Sequence, residues 1–440
     1  MRNKHVRESR VFRQPKHSVD QPELLPPTLE ELVPTGHVVR SLKAIIDHLD
    51  LSAAEELYED KGGYAYDPRA MLAVLLYALI DGERSSRRIQ EHCRFDVRYR
   101  YLCGAHAPDD RTICRFRRRL EPVLPGIFAQ VLTLARGRGM VKGNVVAVDG
   151  TRVAGNVQQW RKILSEAENE DCADPDCRTI QTRRGYINGY NAQAAVDAET
   201  GVVLAASVSN SAADYKQLPK MVDSVQEALG EGPASVVADK GYESSENAAM
   251  LESRAIDSYL VPRGGEAEFW DLDEAGRIVC PEGHALRHHG RFQRRGVKSL
   301  KLYIRECAAC PKRAGCHGAK YKVLSHPEGV DPAARIRNAK RCRSPEGRRI
   351  LRMRSSGIET VFGQMKWNKG LRRFRLRGLN AVGAEFILEC LAHNLQKVLK
   401  DLLQLLFGCF HASSPCRASY LSPAHVSPLH QKIQSLTPSQ

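Results

Sequence analysis

Asn144-Val-Val-Ala-Val-Asp-Gly150 is the stretch that decides how this chain folds. Its β-branched run reads as a short buried strand that ends on an acid. A second such run, Ser235-Val-Val-Ala-Asp239, stands 90 residues on, counted from Asp to Asp. Between them Tyr190-Asn-Ala-Gln-Ala-Ala-Val-Asp197 alternates, Ala198 to Gly201 turns, and Val202-Val-Leu-Ala-Ala-Ser-Val208 returns. That pattern is a hairpin. Asp214 to Leu229 and Ser244 to Ser253 read as helices, and Ile256-Asp-Ser-Tyr-Leu-Val-Pro262 as a strand. A long irregular insertion follows. Pro345 to Lys366 is then helical, with Gly370 near its end, and Asn380 to Leu406 is a last amphipathic helix. Three strands, helix, strand, helix, strand, insertion and helix predict an α/β fold, a mixed sheet with helices on its faces.

Upstream the period changes. His37-Val-Val-Arg-Ser-Leu-Lys-Ala-Ile-Ile-Asp-His-Leu49 repeats apolar residues at three and four. Asp67-Pro68 opens a helix through the apolar run Met71 to Ile80, and Gly82 closes it. Ser85 to Cys93 and Asp110-Arg-Thr-Ile-Cys-Arg-Phe-Arg-Arg-Arg-Leu120 supply two more helices. The second carries Arg115, Arg117 and Arg118. Helix, turn and basic helix fit a helix-turn-helix reader of the major groove; a helical bundle with a basic surface fits equally well. The expected organisation is a flexible arm at 1–36, a helical DNA-binding domain at 37–138, and a catalytic α/β domain at 139–408. That last domain carries an insertion at 265–345, with its Cys cluster at 280–316, and a disordered tail follows at 409–440.

Of the 440 residues, 42% are hydrophobic and 27% charged, enough to bury a large core. The formal net charge of +15 points to a polyanionic partner. It is concentrated: Pro281 to Asn380 holds 26 Lys and Arg against 6 Asp and Glu, which leaves the other 340 residues net negative. A solvated helix face mixes both signs, whereas here acids are nearly absent. Lys366 to Arg377, with Arg372, Arg373, Arg375 and Arg377 around Trp367 and Phe374, therefore reads as a phosphate-backbone surface. Met1 to Gln14 is basic and polar, unlike a secretory signal, and Met71 to Ile80 is half a membrane span. The expectation is a cytoplasmic protein without a membrane partner, in a reducing compartment where clustered Cys serve metals rather than disulfides.

Asp149, Asp239 and Glu359 form a candidate triad. Each has a bland reading: Asp149-Gly150 as a turn pair, Asp239-Lys-Gly241 as a turn, Glu359 as a helix-surface charge. Together they read otherwise. An acid at the end of a buried strand needs a cation, and hard oxygen ligands suit Mg²⁺. Metals there could activate a water or a 3′-hydroxyl against a phosphodiester. Glu359, Phe362 and Lys366 fall at i, i+3 and i+7, which places a cation beside the metals for the scissile phosphate.

The segments Val148-Asp-Gly-Thr151, Gly189-Tyr-Asn-Ala-Gln-Ala-Ala-Val-Asp197, Ala238-Asp-Lys-Gly-Tyr242 and Ile358-Glu-Thr-Val-Phe-Gly-Gln-Met-Lys366 resemble those of bacterial insertion-sequence transposases of the Asp-Asp-Glu class. The similar group has a Cys-rich insertion before the Glu. Leu371-Arg-Arg-Phe-Arg-Leu-Arg-Gly378, Leu391-Ala-His-Asn-Leu395, Ser85-Ser-Arg-Arg-Ile89 and Thr112-Ile-Cys-Arg-Phe-Arg117 also match, so the likeness spans about Pro34 to Leu406. It implies an RNase H-like core and strand cleavage and joining at element ends with Mg²⁺ or Mn²⁺. It carries the catalytic and metal-binding roles onto Asp149, Asp239 and Glu359, and a DNA contact onto Lys366. Arg354 most nearly fits the family's Arg before the Glu. The Tyr often found further upstream is missing from Arg348-Arg-Ile-Leu351. Pairing two DNA ends makes a homodimer the expected assembly.

Cys280, Cys307, Cys310 and Cys316 are candidate Zn²⁺ ligands, with His284 or His317 as substitutes. The alternative is four free thiols in a loop. Cys172 and Cys177 read as plain thiols, and Cys93, Cys103, Cys114 and Cys390 as small core residues. Three other functions compete with transposition: a non-catalytic DNA-binding descendant, a zinc-ribbon interaction module and a metal-dependent endonuclease. Three acids retained in intact contexts favour the catalytic readings.

Overall fold

The computed structural model describes residues 26–58, 65–159, 173–182, 185–263, 270–294, 297–316 and 322–411. Most of the expected arm (1–25), Cys172, His317 and the tail from 412 lie outside them. Residues 26–36 include a helical turn, Leu29–Leu32, closed by a capping box between Thr28 and Glu31.

The central sheet has strands β1 (Val145–Ala154), β2 (Arg178–Thr182), β3 (Gly185–Asp197), β4 (Val203–Ser209), β5 (Ser235–Ala238) and β6 (Asp257–Leu260). Its order is β2-β3-β1-β5-β6, and β4 also pairs with β3. β3 is long enough to serve two partners besides β1, β2 along Gly185–Gly189 and β4 along Asn191–Val196. β1 runs antiparallel to β3 and parallel to β5, and β5 is parallel to β6. This is the mixed sheet of an RNase H-like α/β fold. The central strands alternate between two cores: Val146, Val148 and Val236 pack with the amino-terminal helices, while Val145, Ala147 and Val237 face the helix that carries Glu359.

Helix Pro68–Asp81 is capped by Asp67 and ends at Gly82, whose φ of 84° only glycine adopts at no cost. Every side chain from Met71 to Leu79 is buried, because the helix lies between its neighbours and the long helix Leu379–His411. That long helix also covers β4 and the helix Leu124–Gly137, so it binds the amino-terminal helices to the sheet.

Several elements depart from the sequence reading. β1 continues past Asp149 to Ala154, and β2 was not foreseen. The helix expected from Asp214 starts at Leu218, where Pro219 occupies its first turn. Asp214 is thereby left in a loop. The insertion holds a hairpin, β7 (Asp271–Leu272) with β8 (Ile278–Val279), and a three-stranded antiparallel sheet of β9 (Arg287–Arg294), β10 (Val297–Ile304) and β11 (Lys322–Pro327). Cys93, Cys103, Cys177 and Cys390 are buried, but Cys114 is exposed.

Candidate active site

Asp149 and Asp239 each follow the last buried residue of a parallel pair, with Val148 aligned to Ala238. The ladder therefore brings both acids to one end of the sheet, where parallel sheets place their ligands. Burial, and then the charge of Asp239, push the Asp149 carboxyl up to about 6; the Gly150 N–H, the Arg354 guanidinium and the nearby Asp214 charge act more weakly. Such a pair repels unless a cation joins it.

A cation is present in the form of Arg354. Its NH1 donates to Asp149 Oδ2 at 3.2 Å and its NH2 to Glu359 Oε1 at 2.8 Å. Helix Pro345–Arg354 supplies it, and Glu359 closes the next turn, Ser355–Glu359, which is a π turn. A π turn bonds residues five apart, which brings Arg354 and Glu359 to one face. A second π turn, Gln364–Asn368, carries Lys366. The wide turns alter the face expected of a regular helix. Phe362 is buried and Glu359 exposed, while Lys366 is half-buried and donates to the Arg152 carbonyl at 2.8 Å. Burial first, then Arg152, lower the Lys366 pKa, and Asp149 opposes them.

The donors fit a hard divalent ion: two carboxylates just past the end of the parallel β1–β5 ladder, and a third joined to the first of them by a guanidinium. Among the described residues, however, no three His, Cys, Asp or Glu side chains are gathered closely enough to hold an ion. Arg354 stands between Asp149 and Glu359.

The sequence reading missed five residues behind the acids: Arg152, Asn191, Gln193, Asp214 and Tyr242. Asn191 and Gln193 were visible as polar residues two apart in an otherwise small apolar strand, hence on one face.

Beside the site, Leu371, Phe374 and Leu376 are buried while Arg372, Arg373, Arg375 and Arg377 are exposed. Backbone bonds to both sides of Ala154 and the Glu385 carboxylate, which accepts the Arg375 and Leu376 N–H groups, pin this strip. Arg372 lies over the exposed Trp367 ring at 4.4 Å. On helix Asp110–Arg119, Arg115 and Arg118 are exposed. Arg117 requires correction: it is buried, donating to the Arg84 carbonyl at 3.2 Å and Ser86 Oγ at 3.4 Å. Its side of the helix packs inward against Ser86–Phe95, away from any phosphate.

A family described as Transposase DDE domain matches residues 279–399, and one described as Transposase domain (DUF772) matches residues 27–119. The chain belongs to the insertion-sequence transposases of the DDE class. No curated protein matches it. The transposase's first matched region covers Glu359, Lys366 and the arginine strip, and the second covers the amino-terminal helices up to Arg119. Transposases act on DNA, and the exposed arginines of this one lie in both regions. Among the described residues, no helix of the transposase is long and apolar enough to cross a membrane.

Proposed function

We propose that this transposase binds the ends of its element and cleaves and rejoins phosphodiester bonds at a divalent-metal site formed by Asp149, Asp239 and Glu359. The observation that carries the reading is the pair of acids just past the end of the parallel β1–β5 ladder, with Arg354 joining the first of them to Glu359. Bound Mg²⁺ or Mn²⁺ would activate a water or 3′-hydroxyl and stabilise the leaving oxygen. Asp149 and Asp239 would hold the metal from the rigid sheet, and Glu359 would join them once Arg354 turns towards a DNA phosphate. Lys366, Arg372, Arg373, Arg375 and Arg377 would grip the backbone next to the cut, and Arg115 and Arg118 would bind from the helical domain.

In this reading 37–138 binds DNA and 139–408 cuts it, in the cytoplasm, as a homodimer that pairs two ends. Cys280 and Cys307 share the small core of the insertion, and Cys310 and Cys316 are half-exposed. Zinc would staple this otherwise small core. Measured zinc content before and after Cys307→Ser tests that part.

Incubating the chain with a supercoiled plasmid that carries the DNA flanking its own coding segment tests the whole. Mg²⁺ should give nicked and linear products, and a chelator or Asp149→Ala, Asp239→Ala or Glu359→Ala should abolish them with DNA binding intact. Cleavage that survives any of the three removes that acid from the site. DNA binding with no cleavage under any metal favours a non-catalytic descendant.

A further inference from the structure

Asp214 gathers four N–H donors behind the two acids. Arg152 meets it with both arms, NH1 to Oδ1 at 3.1 Å and NH2 to Oδ2 at 2.9 Å. Asn191 Nδ2 and Gln193 Nε2 reach Oδ1 at 2.8 Å and 3.0 Å. Gln193 also accepts from the Tyr242 hydroxyl, and Asn191, Gln193 and Tyr242 are fully buried. One carboxylate thus ties together β1 through Arg152, β3 through Asn191 and Gln193, and the exit of β5 through Tyr242. The Arg152 carbonyl is also the acceptor for Lys366.

The glycines of both acid motifs face this carboxylate. A Cβ on Gly150 would stand 3.0 Å from Asp214 Oδ1 and 2.3 Å from Gln193 Nε2. One on Gly241 would stand 3.1 Å from Asp214 Oδ2 and 2.8 Å from Asp239 Oδ1. Neither glycine has a positive φ. Both answer to crowding by this cluster: Gln193, Asn191 and Asp214 leave no room for a side chain at Gly150, and Asp239 and Asp214 leave none at Gly241.

We propose that Asp214 is a positioning residue of the cleavage pocket, setting through Arg152, Gln193 and Tyr242 the spacing at which Asp149 and Asp239 share a divalent cation. The proposal rests on the metal reading above. Asp214 acts through other residues: its oxygens are already engaged by four donors, two of them from a bidentate charged partner. Partners one step removed from metal ligands fix ligand orientation in this way.

Calorimetric titration of Mn²⁺ into the full chain without DNA tests it. Asp214→Asn keeps the shape but loses the charge that holds Arg152. Its Mn²⁺ affinity should fall about 10–100-fold while salt-dependent DNA affinity is unchanged. Gly150→Ala pushes first on Gln193 and Asn191, the neutral partners of the Asp214 carboxylate, without removing a charge, and should lose Mn²⁺ affinity in the same direction. It decides the matter if Asp214→Asn fails to fold, as a thermal scan would reveal. Mn²⁺ affinities within about twofold of the unaltered chain overturn the proposal. The titration of Asp149→Ala keeps the two ideas apart. If that variant binds Mn²⁺ normally, the metal reading itself fails. If it loses Mn²⁺ while Asp214→Asn and Gly150→Ala retain it, only the positioning role fails.

Discussion

The Arg354 guanidinium donates to Asp149 Oδ2 at 3.2 Å, across 205 residues of chain. Its other arm holds Glu359. The same cation therefore relieves the crowding of the acids and occupies the place between Asp149 and Glu359 that a divalent ion would need.

Competition follows from that geometry. Arg354→Ala should bind Mn²⁺ more tightly than the unaltered chain in the absence of DNA, by about tenfold or more, because the two charged hydrogen bonds to Asp149 and Glu359 no longer have to be broken. Its DNA affinity should fall. Calorimetry reads the first effect and filter binding the second; unchanged or weaker Mn²⁺ binding would mean that the guanidinium helps to hold the ion instead of competing with it.

The arginine strip and the amino-terminal helix make contrasting predictions. Arg373→Ala and Arg375→Ala should each reduce the slope of log affinity against log salt by about 1, the effect of one lost phosphate contact. Arg117→Ala should lower stability but leave the slope alone, because that side chain is buried against Arg84 and Ser86. A slope change in Arg117→Ala would show that this helix opens when DNA binds.

Arg84 joins the amino-terminal helices to the long carboxy-terminal one. It pairs with Glu385 at 2.7 Å and with Glu389, and all three are buried. Arg84→Ala leaves two buried carboxylates without their cation and should cost about 3–5 kcal/mol, measured by denaturant unfolding. A loss below about 1 kcal/mol would place the pair in a far more polar setting than its burial indicates.

Lys369 supplies a pH test. Its Nζ is buried without a hydrogen-bond partner, and burial pushes its pKa down to about 8. The unfolded chain holds that proton more tightly, so this residue's contribution to stability is largest above about pH 10 and is lost as the pH falls through 8. At pH 7 Lys369→Met should be more stable by roughly 2–3 kcal/mol, with the gain shrinking towards pH 10. Denaturation curves at pH 7 and pH 10 check it, and an equal gain at both would remove the titration from the explanation.

Local pattern carried much of the fold. The β-branched runs before Asp149 and Asp239 announced the central strands, and the alternation around Tyr190 announced the hairpin. The Asp67-Pro68 start and Gly82 stop bounded a helix correctly because each acts on its own backbone. What was not legible depended on distant partners. Arg117 looks like a surface charge until Arg84 packs on it. β2 is a short polar strand that exists because β3 extends far enough to pair with it. Asp214 looked like a helix opener, and its part in the site emerges only when Arg152, Asn191 and Gln193 converge. The wide turns around Glu359 leave no marker in the hydrophobic period, because the buried Ile358, Val361, Phe362 and Met365 keep the three- and four-residue spacing of a regular helix.

Those wide turns also give the helix around Glu359 slack. Each takes up a residue that a regular spiral would have no room for, so the segment from Ser355 to Asn368 is overlong for its own path. Deleting one residue from either turn would let the helix close to a regular spiral with the flanking turns left in place, because the bulge had already absorbed the extra length. The polypeptide thus keeps its extra length beside Glu359 and Lys366.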